Sequence, residues 1–378
     1  MEVEAAMNNK QGRIKDAGAI HSLTALRFFA ALWVVLFSYW PKLAGADAPA
    51  MVTRGYLGVE LFFILSGFIL CHVYLRGFGE RRFSYGSFLW NRLARIYPLH
   101  LATCLGLIGL ALAAGAAGIG VDASLLDWPS LPANLLLLHA WGFAPTSAFN
   151  HPSWSISAEA FAYLSFPIFA TIAWTLRAKP WLFLGLAVAF AAALYPLFQA
   201  LTGFSLTLAT IKWGALRIVP CFLLGCALHS LWRSGATRDW NCGLLALVFF
   251  AGAAMLTTLG APDFLTVLCL GGLILSLAGT AEKDSKLLTQ RPLTYLGEIS
   301  YSIYMVCVPW EIVFVNGAAK ALGLPDEKLP LGLWIVFVLG VIPLAAASYH
   351  LIEKPAREAM KSWAATHRQR RLVTAPER

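Results

Sequence analysis

Charged residues are scarce in this chain. Asp, Glu, Lys and Arg together make up 13% of its 378 residues, against roughly 25% in an average soluble domain. Apolar residues reach 58%, and the mean hydropathy is +0.66. Because so few charges cannot cover a water-facing surface, the composition excludes a soluble globular domain.

Other patterns are also missing. The seven cysteines show no paired spacing that is typical of a metal site, so we expect no metal and read them as small buried apolar residues. The polar N-terminal stretch and the length of the first apolar run argue against a cleavable signal peptide. No repeat or second domain is visible. We therefore divide the chain into a cytoplasmic segment, 1–20, a membrane domain, 21–354, and a basic cytoplasmic tail, 355–378.

Long apolar runs are what the sequence does contain. A helix needs about 20 apolar residues to cross a bilayer core about 30 Å thick. We predict an all-α polytopic membrane protein with about ten transmembrane helices and a short re-entrant or interfacial helix near 131–142. The ten runs are 23–42, 55–77, 97–120, 154–177, 180–203, 208–232, 240–259, 263–281, 296–317 and 331–352.

Lys and Arg alternate along these runs. They collect before the first run, after every even-numbered run up to the eighth and in the tail, whereas 121–153, 203–207 and 260–263 carry none and 318–330 has two beside two acids. This alternation is the positive-inside pattern and predicts cytoplasmic termini. The net charge of +9 thus reports topology and contact with membrane lipids, and we expect no nucleic-acid partner.

Two polar residues interrupt the first run. Arg27 and Ser38 are eleven residues apart, so they share one helix face and lie about 16 Å apart along the axis. Ionisable groups inside a membrane are functional by default. The alternative is an arginine that snorkels to the interface and a serine bonded to a backbone carbonyl.

Further charges follow in the second and third runs. Glu60 is either ion-paired, protonated and hydrogen-bonded, or catalytic, and Arg27 is its candidate partner. Arg92 and Arg95, three apart on one helix face, suit the phosphates of a polyanion. Contact with anionic lipid headgroups is the alternative.

Six motifs occur in order along the chain: LTALRFFAALWVVLF, GVELFFILSGFIL, RLARIYPLH, PSWSISAEAFAYLSFP, LGEISYSIYMV and YHLIEKPAR. Together they resemble the acyltransferase-3 family from about residue 20 to 357. The resemblance implies a multi-pass enzyme of the bacterial cytoplasmic (inner) membrane. It implies transfer of an acyl group, most often acetyl from acetyl-CoA, to a sugar hydroxyl of an exported polysaccharide or a lipid-linked oligosaccharide acceptor.

The same resemblance assigns roles by position. Arg27 matches the arginine of the family's first span, but Ser38 stands where the family has an essential histidine, and Cys307 replaces a second histidine. The implied catalytic residues are Ser38, Arg27, Glu60 and Glu159. The implied cofactor-binding residues are Arg27, Arg92, Arg95, Tyr97, Tyr301 and Tyr304. The implied substrate-binding residues are His151, Trp154 and Ser157.

Serine at position 38 conflicts with the chemistry. A sugar hydroxyl needs a base to take its proton, and histidine does this well near neutral pH. Either the chain is disabled, or Glu60, His151 or Cys307 acts instead. We place His72, His100 and His229 near cytoplasmic ends of spans, in structural roles. A transporter or lipid-linked glycan handling protein is the alternative to an enzyme, and Ser38→His is the variant that distinguishes them.

Overall fold

The computed structural model describes residues 20–118, 123–281, 288–324 and 328–373. Within these ranges the fold is all-helical, without a β-strand. Its main helices are α1 (His21–Tyr39), α2 (Gly58–Gly79), α3 (Tyr85–Ala116), α4 (Trp154–Leu164), α5 (Phe166–Thr175), α6 (Pro180–Thr202), α7 (Gly214–Arg233), α8 (Cys242–Thr258), α9 (Asp263–Ala281), α10 (Arg291–Glu298), α11 (Ser300–Leu322), α12 (Leu331–Ser348) and α13 (Lys354–Val373).

Each of the ten predicted runs contains a helix, and the protein is an integral membrane protein by helix length and composition. In the described ranges seven helices are long and apolar enough to cross a membrane, or nine if two bent pairs each form one span. The bent pairs are α4 with α5 (56°) and α10 with α11 (58°). The remaining run, 240–259, forms α8, an apolar helix of 17 residues. A count of ten spans therefore stays a prediction.

Two boundaries differ from the sequence expectation. Helix α3 begins at Tyr85 rather than at 97, because its polar N-terminal half continues as helix before the apolar run starts. His100 consequently lies in the middle of a helix, and its place near a span end stays a prediction. In the 131–142 region only Leu131–Leu135 is α-helical, and a 3₁₀ turn follows at His139–Trp141.

Helices α2 and α7 form the centre of the bundle. A Cβ atom at Gly67 would collide with the Phe222 carbonyl, and one at Gly225 would collide with the Ile64 carbonyl. Only glycine permits this approach, which brings the two backbones into direct contact as small residues do between membrane helices. Helices α1, α4, α5, α6 and α9 pack against this pair.

The bundle has two distinct ends. We call the end that bears Tyr39, Gly58 and the segment 123–153 the loop end, and the end that bears Gly79 and Tyr85 the basic end. At the basic end α13 packs against α3, where Trp90 donates to the Met360 carbonyl at 2.8 Å. A π-helical turn, Tyr349–Glu353, joins α12 to α13; such turns are frequent at functional sites.

Candidate active site

Five helices, α1, α2, α3, α4 and α11, enclose a cavity of about 300 Å³. Apolar side chains of α1 and α2 form much of its wall. The polar residues that line it are Thr24, Arg27, Ser66, Arg92, Arg95, Ser155, Glu159, Tyr163, Tyr301 and Tyr304. The cavity therefore brings together residues from five of the six motifs.

Three guanidinium groups line this cavity. Arg92 donates to the Tyr74 hydroxyl at 3.3 Å and lies 5.6 Å from its ring centre. Neither Arg27 nor Arg95 makes a hydrogen bond or a close ion pair with any residue that the structure describes. Each guanidinium carries five N–H donors. The cavity thus presents uncommitted donors and positive charge to whatever enters it.

Two carboxylates partly balance these cations. Glu159 lines the cavity and accepts a hydrogen bond from Ser66 at 3.0 Å. Glu353 lies behind the wall at the π-helical turn, 2% exposed, and accepts from Ser302 at 2.8 Å. It is close enough to interact electrostatically with Arg27 and Arg95. Among the described lining residues, three cations therefore face one carboxylate.

The tyrosines assigned to cofactor binding lie in different places. Tyr301 lines the cavity and donates to the Ile96 carbonyl at 2.5 Å, and Tyr304 lines it and donates to the Pro152 carbonyl at 3.0 Å. Tyr97 is not among the lining residues; its ring lies 6.2 Å from that of His100. The structure therefore unites two of the three tyrosines with the arginines.

Glu60 belongs to a separate, fully paired site. Arg217 of α7 donates to its two carboxylate oxygens at 2.6 and 2.9 Å, and both side chains are at most 2% exposed. The Arg217 guanidinium also lies over the Trp154 ring, 4.5 Å from its centre, and donates to the Ala209 carbonyl at 2.9 Å. The partner of Glu60 is therefore Arg217 and not the expected Arg27.

Ser38 lies outside the cavity wall, near the loop end of α1. Its neighbour Tyr39 is buried and donates to the Cys307 carbonyl at 2.6 Å. Tyr39 and Cys307 both belong to an apolar cluster that includes Phe337 and Val341.

The other residues proposed to replace a base are also absent from the described cavity wall. Glu60 is engaged by Arg217. The Cys307 thiol donates to the Tyr304 carbonyl at 3.1 Å. His151 hydrogen-bonds through Nδ1 to Ser147 in the loop-end segment. Ser157, assigned to substrate binding, instead donates to the Leu137 carbonyl at 2.7 Å and braces that segment.

Sequence reasoning missed several site residues. Arg217 stands alone inside an apolar run, where an average over many residues conceals one charge. Glu353 lies in the motif YHLIEKPAR without being singled out, although a carboxylate next to an apolar run is a signal of its own. Tyr163 carries no charge, and only its neighbours identify it. Among the described residues, no group of three or more His, Cys, Asp and Glu side chains is arranged to hold a metal ion.

Comparison with known proteins agrees with the motifs. Residues 20–350 match the acyltransferase domain family. The chain is 30% identical over 312 residues to acyltransferase MdmB of Streptomyces mycarofaciens, covering 75% of this chain and 77% of that protein. It is 24% identical over 374 residues to O-acetyltransferase OatA of Staphylococcus aureus, covering 89% of this chain but only 57% of OatA. No solved structure matches significantly. Because the family match covers most of the sequence, the chain belongs to the acyltransferase-3 family.

Proposed function

We propose that this protein transfers an acetyl group from acetyl-CoA to a sugar hydroxyl of an exported polysaccharide or a lipid-linked oligosaccharide, in the cytoplasmic membrane of a bacterium. The observation that carries the proposal is the cavity in which Arg27 and Arg95 have no hydrogen bond or close ion pair with a described residue. A buried cation without a partner is destabilising unless a ligand completes it. The name of the relative OatA supports acetyl as the acyl group.

The arrangement of charge suits a CoA thioester. Arg92 and Arg95 lie about one turn apart on the basic half of α3, and guanidinium groups bind phosphate through paired hydrogen bonds. Leu70 and Ile69 offer apolar wall beside them. In this proposal the phosphates of acetyl-CoA lie against the arginines, and its uncharged arm runs along the apolar wall toward the loop end.

The volume of the cavity fits this separate placement of the phosphates and the uncharged arm. Ligand pockets commonly measure about 300–1,000 Å³, so this cavity is at the lower limit and suits the thioester arm better than a complete CoA molecule. The nucleotide then remains at the basic end. The acceptor comes from the loop end, where segment 123–153 closes the bundle.

The reaction needs charge stabilisation as well as binding. The acceptor oxygen attacks the thioester carbon, the carbonyl oxygen becomes negative, and the CoA thiolate leaves. Preorganised donors around such an oxyanion commonly contribute a large part of catalysis. Arg27, half-buried in the cavity wall with uncommitted N–H groups, is placed to provide them.

The donor half of the proposal is tested by acetyl-CoA binding to purified protein in nanodiscs. Arg92→Ala/Arg95→Ala should weaken the dissociation constant by about a hundredfold or more, because each charge-assisted contact contributes about 1.5–3 kcal/mol. Arg76→Ala/Arg82→Ala is the matched control, since both arginines lie at the same end of the bundle, outside the cavity wall, and pair with Glu80. Equal affinity in both double variants would contradict the proposal.

Position 38 supplies a second test. A histidine there restores the family pattern, so Ser38→His should raise transfer of labelled acetyl from acetyl-CoA in membranes. A transporter would not respond to acetyl-CoA in either form. Mass spectrometry of the cell's polysaccharide with and without the gene then identifies the acceptor.

A further inference from the structure

A second polar cluster lies beside the cavity, toward the loop end. It consists of His100 on α3 and four residues of the segment before α4. Every member is at most 2% exposed. We call this cluster the polar chamber; it contains His100, Asn134, His139, Asn150 and Ser153.

A hydrogen bond in the chamber fixes the tautomer of the His100 ring. Its Nε2 atom lies 2.9 Å from the Asn134 carbonyl oxygen, and a carbonyl can only accept. Nε2 of the neutral ring therefore carries the proton, which leaves Nδ1 with a free lone pair. The ring stacks on that of His139 at 5.9 Å with 6° between the planes.

Four buried side-chain atoms of the chamber have no hydrogen-bond partner among the described residues: His100 Nδ1, His139 Nδ1, Asn134 Oδ1 and Asn150 Oδ1. The two amides are oriented by their NH₂ groups, which donate to the Ser130 carbonyl and the Met305 carbonyl, each at 2.9 Å. Buried acceptors without partners are rare in proteins and indicate a missing donor. Hydroxyl groups, from water or from a polyhydroxylated ligand, can donate to His100 Nδ1 and to the two amide oxygens.

His139 packs against the His100 ring and adds no charge beside its free Nδ1 atom. Its Nε2 atom lies 3.1 Å from the Ser153 hydroxyl, which holds the ring against His100. Burial and the adjacent His100 lower the pKa of His139 to about 4. His139 therefore remains uncharged at neutral pH and adds no second cation beside His100.

The backbone around the chamber is strained. Leu137 and Phe149, just before His139 and Asn150, adopt left-handed conformations with φ of 58° and 59°. Such conformations are unfavourable for residues other than glycine and concentrate at functional sites. The segment before α4 thus holds His139 and Asn150 in place at a cost in stability.

The chamber and the cavity share a wall. Ser155 and Tyr304 both line the cavity and both donate to the Pro152 carbonyl, at 3.1 and 3.0 Å. The next residue, Ser153, belongs to the chamber. On α3 the cavity residue Ile96 is one turn from His100. The chamber therefore adjoins the cavity at Pro152 and along one turn of α3.

We propose that the polar chamber binds the hydroxyl groups of a polyhydroxylated acceptor and that His100 is the catalytic base that accepts the proton of the attacking hydroxyl. This inference rests on the proposed acyl transfer. The acceptor oxygen loses its proton to His100 Nδ1 and bonds to the thioester carbon. The carbon–sulfur bond then breaks, and the CoA thiolate takes the proton from His100, so that an ester and free CoA are formed.

The test uses inside-out membrane vesicles of the host that carry the native acceptor, with [¹⁴C]acetyl-CoA as the donor. His100→Gln keeps a donor for the Asn134 carbonyl but cannot take up a proton. We expect its transfer rate to fall by about 10²–10⁴-fold, the range of general-base catalysis. The KM for acetyl-CoA and its dissociation constant in nanodiscs should stay within about twofold of wild type, because CoA contacts lie elsewhere.

His350→Gln is the matched control. His350 bonds to Tyr295 at 3.1 Å, outside the chamber, and this variant should transfer acetyl at the wild-type rate. His139→Gln keeps an acceptor for Ser153 but removes the stacked ring, so we expect a fall of about tenfold. If His100→Gln fails to bind acetyl-CoA, the transfer rate of His139→Gln tests the role of the chamber instead.

The outcomes separate the two proposals. A His100→Gln protein that binds acetyl-CoA and transfers at the wild-type rate would overturn the role of His100 and leave acyl transfer intact. Wild-type vesicles that neither bind nor transfer acetyl would overturn the proposed function itself, and this inference with it.

Discussion

The protein buries arginine in two contrasting ways. Arg217 donates to both oxygens of Glu60 and to a backbone carbonyl, and its guanidinium lies over the face of Trp154. Arg27 and Arg95 are also enclosed by the bundle, but neither finds a close partner among the described residues. We call the pair of Glu60 and Arg217 the complete site, because close partners balance its charges. We call the cavity with Arg27 and Arg95 the incomplete site.

The difference separates structure from function. Transfer of a charge out of water is compensated only by close, well-oriented partners. The Glu60 site has those partners and holds α2 against α7. The cavity lacks them, so its charges are retained at the expense of stability, which is a sign that a ligand provides the missing contacts.

The largest effect should come from breaking the complete site. Arg217→Ala leaves the Glu60 carboxylate buried without a partner, which commonly lowers the free energy of unfolding by about 3–5 kcal/mol. Arg95→Ala removes a cation that has no close partner and should change stability little or raise it. Chemical denaturation in detergent micelles measures both.

A double variant is the control for this contrast. Glu60→Leu/Arg217→Met removes both charges and should recover much of the loss, since apolar replacement of a buried pair is often neutral. If Arg95→Ala were as destabilising as Arg217→Ala, the two sites would not differ as the contacts indicate.

The second effect concerns ligand binding. Acetyl-CoA at a hundredfold excess over its dissociation constant should stabilise the protein by about 2.7 kcal/mol, because a ligand that binds only the folded state adds free energy in this way. The gain should vanish in Arg92→Ala/Arg95→Ala. Thermal denaturation with and without acetyl-CoA measures it, with Arg76→Ala/Arg82→Ala expected to gain as wild type does.

A smaller effect should come from Trp154, which the motif resemblance assigns to substrate binding and the structure places against Arg217. Trp154→Phe keeps an aromatic face of weaker attraction and should lower stability by about 0.5–2 kcal/mol. Acetyl-CoA affinity should be unchanged if Trp154 acts at the complete site. A loss of acetyl-CoA affinity without a loss of stability would indicate that Trp154 binds the substrate.

Much of the contrast between the two arginine sites could be predicted from the sequence, but the pairing of Glu60 with Arg217 could not. Hydropathy located the ten helical runs, and motif order grouped Arg27, Arg92 and Glu159 before the structure did. The partner of Glu60 was misassigned because Arg217 is 157 positions away, and helical periodicity relates only neighbours on one helix. His139 was overlooked because it lies in a short irregular segment without period.

The smallest effect tests the carboxylate of the incomplete site. Ser66 donates to Glu159 at 3.0 Å and directs one of its oxygens toward α2. Ser66→Ala removes a hydrogen bond that contributes about 1 kcal/mol, so Glu159 is freer to turn toward Arg27 and Arg95. An arginine engaged by Glu159 is less available to phosphate, and acetyl-CoA affinity should fall by about fivefold.

Adding Glu159→Gln to Ser66→Ala decides the cause, because the amide cannot neutralise an arginine. The double variant should bind acetyl-CoA at least as tightly as wild type. Should it bind as weakly as Ser66→Ala alone, the loss would come from a change in cavity shape, and competition between a carboxylate and phosphate for the same guanidinium groups would be wrong. Should it bind more tightly than wild type, Glu159 competes with the ligand even when Ser66 holds it, and the incomplete site is tuned for release as well as for binding.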